Sequence, residues 1–188
     1  MASFGLRYLR FSPIAEEPEN ALPKYKGPVT LGKAVKADLT VTVASGELYA
    51  EDALAESVDE FVSGSLAVET DDMTDETCVA VYGCTLKEKE LIDKAADSTP
   101  VGGVGYYKVL IRNGVKSFRG YVYPRCKAIL GNDTAATKGN SITFGTNPAT
   151  FKVFRCNDDS WRLRETFDTE AAAKAWIDEK LAATALGS

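Results

Sequence analysis

Apolar and polar residues begin to alternate with period two at Gly32. Val35, Ala37, Leu39, Val41 and Val43 interleave with Lys36, Asp38, Thr40 and Thr42, the pattern of a strand with one buried and one wet face. A second run, Phe61 to Thr70, sets Val62, Leu66 and Val68 against Ser63, Ser65 and Glu69. The segment between the runs, Ala44 to Glu60, reads as a long loop. It carries Glu47, Glu51, Asp52, Glu56, Asp59 and Glu60, with Leu48, Tyr49, Leu54 and Val58 among them. Loops longer than about 12–15 residues in a compact domain are usually functional or disordered. A merely solvated loop is the plainer alternative, but the regular apolar residues favour ordering against a partner.

Past Thr70 the signals change. Thr74 is placed to cap a short helix, with Asp75 and Glu76 in its first turn and Gly83 where it stops. Met73 and Cys78 have the spacing of a hydrophobic staple. Asn113-Gly114 between two β-rich runs calls for a type I′ hairpin, and that turn sets a register. Arg112 then faces Val115, Leu110 faces Ser117, Lys108 faces Arg119 and Tyr106 faces Tyr121. This side is basic with a tyrosine pair; the other, with Tyr107, Val109, Ile111, Phe118 and Val122, is apolar except for Lys116 near the turn. Further strands are expected near 128–130, 141–146, 149–156 and 161–167, with Asn157-Asp158-Asp159-Ser160 as a turn. A last helix opens at Asp168 or Thr169, with Ala173, Trp176, Ile177 and Leu181 as its apolar stripe. The class implied is mainly β: an antiparallel β-sandwich with a flanking short helix and a C-terminal helix.

Four of the seven prolines fall within the first 28 residues. Such spacing argues against a helix or a central strand there. Residues 1–31 therefore read as an extended arm over a surface, or as a disordered tail; Tyr8, Phe11 and Tyr25 favour docking. Residues 32–167 form the β domain and 168–188 the terminal helix, its final Gly187-Ser188 native or appended. No apolar run approaches the roughly 18 residues of a membrane span, and the N-terminus lacks a signal-peptide core. The expectation is a soluble, unsecreted protein without a membrane partner.

Composition narrows the chemistry. The chain has no histidine, which removes Ser-His-Asp and Cys-His mechanisms and the side chain best suited to proton transfer near neutral pH. No enzyme activity and no cofactor is expected. Cys78, Cys84, Cys126 and Cys156 form no CxxC pair, so buried thiols are expected, Cys78 on the short helix and Cys156 on a strand, with no bound metal. Val101-Gly102-Gly103-Val104-Gly105 lacks the following Gly-Lys-Ser/Thr of a phosphate loop and reads as a structural turn. Asp71-Asp72 with Asp75-Glu76 does not match an EF-hand and reads as helix capping.

Charge is segregated along the chain. Residues 37–76 hold twelve acids and no Lys or Arg, whereas residues 101–164 hold eleven bases and three acids. Opposite surfaces on one body let copies join head to tail. The acidic segment supplies one side (Glu47, Leu48, Tyr49, Glu51, Asp52, Leu54, Glu56) and the basic face Lys108, Arg112 and Arg119 the other. At a net charge of −5, a sequence-specific nucleic-acid binder is not expected.

The run from Gly27 to Gly83, with its LYAEDALAES segment and the strand SGSLAVETDDMTDE, resembles the major tail proteins (tail tube proteins) of siphophages, of the phi13 type. GVGYYKVLIRNGVKSFRGYVYPRCKAIL and TKGNSITFGTNPATFKVF look like later strands of the same family, and the likeness runs from about Phe4 to Phe167. The resemblance implies the phage tail-tube fold and a virion structural subunit, made in the host bacterial cytoplasm. Such subunits form hexameric rings, stacked into a tube that conducts genomic DNA. Tape measure, terminator and distal tail proteins are the implied partners, and DNA passes without specific binding. The lumen would be lined by the wet strand faces: Lys36, Asp38, Thr40, Thr42, Ser63, Ser65 and Glu69. The alternatives are a related tube-fold component (a contractile inner tube, a terminator or a distal ring) or a monomeric β-sandwich binding module.

Overall fold

The computed structural model describes residues 2–50, 53–131 and 146–182. In chain order the elements are β1 (Ala2–Glu16), β2 (Lys24–Tyr25), β3 (Val29–Gly32), β4 (Ala34–Ala50), β5 (Ala53–Thr70) and α1 (Asp75–Tyr82). Then come β6 (Thr85–Lys87), β7 (Glu90–Ile92), β8 (Val101–Arg112), β9 (Val115–Ile129), β10 (Asn147–Val153), β11 (Leu163–Phe167) and α2 (Glu170–Leu181). The fold is mainly β, antiparallel and sandwich-like. The main path is β2-β1-β8-β9-β10-β5-β4, with β11 on β9 and β3 on β1. β3 and β4 are one stretch of chain separated only by Lys33, yet β3 pairs with β1 and β4 with β5. The sheet therefore curls until its two ends meet through that connection.

Asp71 pins the closure. Its carboxylate accepts from the Lys33 N–H at 2.7 Å and the Asp72 N–H at 2.8 Å, while the Asp71 N–H donates to the Lys33 carbonyl at 3.1 Å. The bond from Lys33 N–H, more than any other influence, holds the Asp71 carboxyl below its ordinary pKa. A lowered folded pKa stabilises the fold above the ordinary carboxylate range, and that contribution is lost as pH falls through the folded value. Asp71→Ala is expected to flatten the acid limb of a stability–pH profile and to speed amide exchange at Lys33, with the remaining strands protected as before.

Inside the curl lies one core, with Leu9 and Phe11 from β1, Leu31 from β3, Leu66 and Val68 from β5, Tyr106 and Tyr123 from β8 and β9, and Phe151 and Val153 from β10. α1 closes one end. Val81 is fully buried, and Thr77 Oγ1 donates to the Thr30 carbonyl at 2.9 Å. The predicted caps are in place: the Thr77 N–H donates to Thr74 Oγ1, and Gly83 takes φ +75°.

A second cluster lies outside the curl. Ala173, Trp176, Ile177 and Leu181, the predicted stripe of α2, pack on Tyr107, Val109 and Val122. Two tyrosine hydroxyls fasten the helix. Tyr8 donates to Asp178 Oδ2 at 2.5 Å and Tyr107 to Glu170 Oε1 at 2.7 Å. Burial first, then the bond to Glu170, pushes the Tyr107 hydroxyl up to about 12.

Several expectations need correction. Residues 101–105 are not a turn but the start of β8. Their glycines mark close approach, one of the meanings of glycine within a strand. A Cβ on Gly102 would meet the Phe11 ring at 2.4 Å, and one on Gly103 would meet Leu181 at 2.6 Å. On β9, a Cβ at Gly120 would lie 2.8 Å from the Trp176 ring. Gly120→Ala is expected to cost about 1–3 kcal/mol through overpacking, read as lost amide protection across α2 with the inner core retained.

The first 31 residues are not an arm. β1 pairs with β8 on one side and with β2 and β3 on the other. Only Pro13 lies within β1; Pro18, Pro23 and Pro28 fall in the connections around β2. Residues 128–129 close β9 rather than form a separate strand, and Cys156 lies just past β10. The strand expected at 141–146 lies outside the described residues except for Thr146, which is not in a strand, and Gly187-Ser188 lie outside as well.

Candidate assembly surfaces

The seven residues read as a wet face share one side of the β4–β5 ladder. Lys36 pairs with Glu69, Asp38 with Ala67, Thr40 with Ser65 and Thr42 with Ser63, while Leu66 and Val68 are buried on the opposite side. Ser63 and Glu69 are half-buried and the other five are exposed. Lys36 forms an ion pair with Asp38, and that hydrogen bond is the first cause raising the Lys36 pKa. One cation faces two carboxylates here, so the strip is polar with a slight negative excess.

Ala44–Glu60 is not a loop. β4 and β5 remain paired from Val43↔Phe61 out to Ala50↔Ala53, the last pair among the described residues. The ladder slips between Thr42 and Val43, so that Phe61 and Val62 together oppose a single position. This β-bulge moves Phe61 off the wet face. Its ring stacks on Trp161 with centroids 4.3 Å apart and planes 5° from parallel. Beyond the bulge, residues 44–47 and 57–60 are exposed on both faces, Glu47, Asp59 and Glu60 among them. Glu51 and Asp52 lie outside the described residues, as do the side chains of Leu48, Tyr49, Leu54 and Glu56. The hairpin leaves the body as a two-stranded acidic arm. β4 is the terminal strand of its sheet among the described residues, with Val41 and Val43 exposed on it. An unpaired strand edge is a template for a strand of another chain.

The β8–β9 hairpin has the expected register, residue for residue, with Asn113 and Gly114 at φ 51° and 80°. Its basic side is only partly a surface. Tyr106 is buried in the core and shares a hydrogen bond with Tyr123. Lys108 lies over the Tyr106 and Tyr121 rings at 5.7 and 5.6 Å, and Arg119 Nε donates to Thr166 Oγ1 at 3.0 Å. Arg112 alone of the three is exposed. The curl turns this side inward, which strand alternation could not foretell. Sequence reasoning also missed Arg162, stacked over Trp161 at 4.4 Å. The Trp161-Arg162 adjacency was the available signal.

The acids before α1 hold backbone. Asp71 anchors Lys33, and Asp72 Oδ1 accepts from the Met73 N–H at 2.8 Å and from Asn147 Nδ2 at 3.1 Å. Burial pushes all four thiols above their ordinary pKa, Cys156 up to about 11, which keeps them protonated and weakly nucleophilic at neutral pH. Among the described residues no three His, Cys, Asp or Glu side chains cluster as metal ligands do, and no helix is long and apolar enough to cross a membrane. In comparison with known proteins, no family model matches this chain and no curated protein resembles it significantly.

Proposed function

We propose that this chain is a structural subunit of a bacteriophage tail tube, assembling into stacked hexameric rings whose lumen conducts genomic DNA. The observation that carries the reading is the β4–β5 hairpin. Its described part, residues 44–47 and 57–60, is exposed on both faces, and it is rooted in β4, the terminal strand of the sheet among the described residues. In a ring, such an arm supplies a contact that reaches the next subunit. The polar strip from Lys36 to Glu69 suits a conduit, because a slightly acidic wall repels phosphate and does not retain DNA. In the virion, tape measure, terminator and distal tail proteins would bind the ends and interior of the tube.

Negative-stain microscopy of the purified protein tests this directly. Long hollow tubes are expected. Single closed rings would favour a terminator or distal ring component, and persistent monomers would favour a binding module. Raising salt is expected to slow tube growth, since exposed charge attraction is screened within about 8 Å at physiological ionic strength. Growth insensitive to salt would transfer the contact to apolar burial.

A further inference from the structure

We propose that the Arg112–Lys116 turn of one copy seats in a cleft at the opposite end of the next, so that this joint fixes the axial stacking of subunits. The inference rests on the self-assembly proposed above and names a second contact, separate from the β4–β5 arm.

The cleft lies between α1, the segment after β7, and the end of β9 with the start of β10. Its volume is about 370 Å³. Met73, Cys78, Tyr82, Leu130 and Pro148 are its apolar lining, and Asp93, Lys94, Asp97 and Asn147 its polar lining. Leu130 is 70% exposed, an unusual state for a leucine beside a concave apolar surface. The surroundings are acidic. Burial, then Cys84, then Asp75, Asp72 and Asp93 raise the Cys78 thiol, while burial followed by Asp93 leads the causes at Cys84. A complementary ligand is a small apolar knob flanked by cations.

The β8–β9 turn has that form. Val115 is 69% exposed, beside Arg112 on one side of the ladder and Lys116 on the other. Among the described residues no carboxylate forms an ion pair with Arg112 or Lys116. A two-residue type I′ turn is rigid, so docking it costs little conformational entropy. The turn cannot fill its own cleft: β9 runs from Val115 at the turn to Ile129 at the cleft, on the order of 45 Å of strand. A turn that cannot reach the cleft of its own molecule is free to enter that of another copy. A knob at one end and a socket at the other form a heterologous joint that repeats without closing when successive copies align.

Native Cys78 in the cleft lining provides the test. Val115→Cys in the full chain, under air oxidation, is expected to give a reducible ladder of covalent oligomers, and Val115→Cys with Cys78→Ser none. Arg112→Glu/Lys116→Glu and Asp93→Lys are each expected to raise the concentration needed for assembly about tenfold, equivalent to about 1.4 kcal/mol. An equimolar mixture of these two proteins should regain assembly, because each supplies the other's complement. Tubes from Val115→Cys without a ladder, or wild-type assembly by the Arg112→Glu/Lys116→Glu protein, would overturn the joint and leave the tube reading standing. Wild-type protein that stays monomeric at every concentration overturns both.

Discussion

Replacing Phe151 by alanine is expected to destabilise the protein by about 3–5 kcal/mol, the cost typical of deleting a fully buried aromatic ring. Phe151 has no exposed surface. It sits on β10, opposite Leu66 of β5 and Ala128 of β9, and its ring lies 5.7 Å from that of Phe11 on β1. One side chain thus spans the interior from the β5–β10–β9 wall to the β1 wall. Its loss leaves a cavity bounded by paired backbone, which cannot collapse to fill it. Urea unfolding should show a lower midpoint at unchanged slope, and Phe151→Leu should recover part of the loss. A cost below about 1 kcal/mol, the usual range for surface positions, would mean that the sheet does not curl around this ring.

Reversing the charge of the arm is expected to abolish tube growth without unfolding the subunit. Glu51, Asp52 and Glu56 belong to the acidic segment 44–60, and the described part of the arm, residues 44–47 and 57–60, is exposed. Lysine at those three positions should therefore leave the thermal unfolding of the monomer close to wild type, as surface changes usually do within about 0.5 kcal/mol. Under the tail-tube reading the arm meets a neighbour, and the reversal turns attraction into repulsion there. Electron microscopy should show single subunits or isolated rings in place of tubes. A wild-type yield of tubes would remove the arm from the assembly contact.

The two predictions separate what alternation can report from what it cannot. The Asn113-Gly114 turn, both helix caps and the α2 stripe were legible because each depends on residues within a few positions of one another. The β4–β5 arm was not. Gly46, the alanines and the acids around it have low strand propensity and no clean alternation, yet backbone pairing begun at Lys36–Glu69 carries on through them. β1 was concealed by prolines that fall almost entirely outside it. The basic side of β8–β9 was read correctly as one side but is only partly surface, with Tyr106 buried and Arg112 exposed, because a strand's two sides carry no label of inside and outside.

From the sequence alone came the mainly β class, the hairpin register, the residues that share each strand face and the separation of acidic from basic segments. These follow from local geometry, the two-residue period of a strand and the three-to-four-residue reach of a helix. Tertiary structure alone decided that the sheet closes through Lys33 and Asp71, that Tyr106 lies inside and Tyr107 beneath α2, and that the glycines of β8 and β9 clear space for Phe11, Leu181 and Trp176. Each of these depends on contacts between residues far apart in the chain, and the sign of a curl is a property of the whole sheet, which no window of neighbouring residues contains.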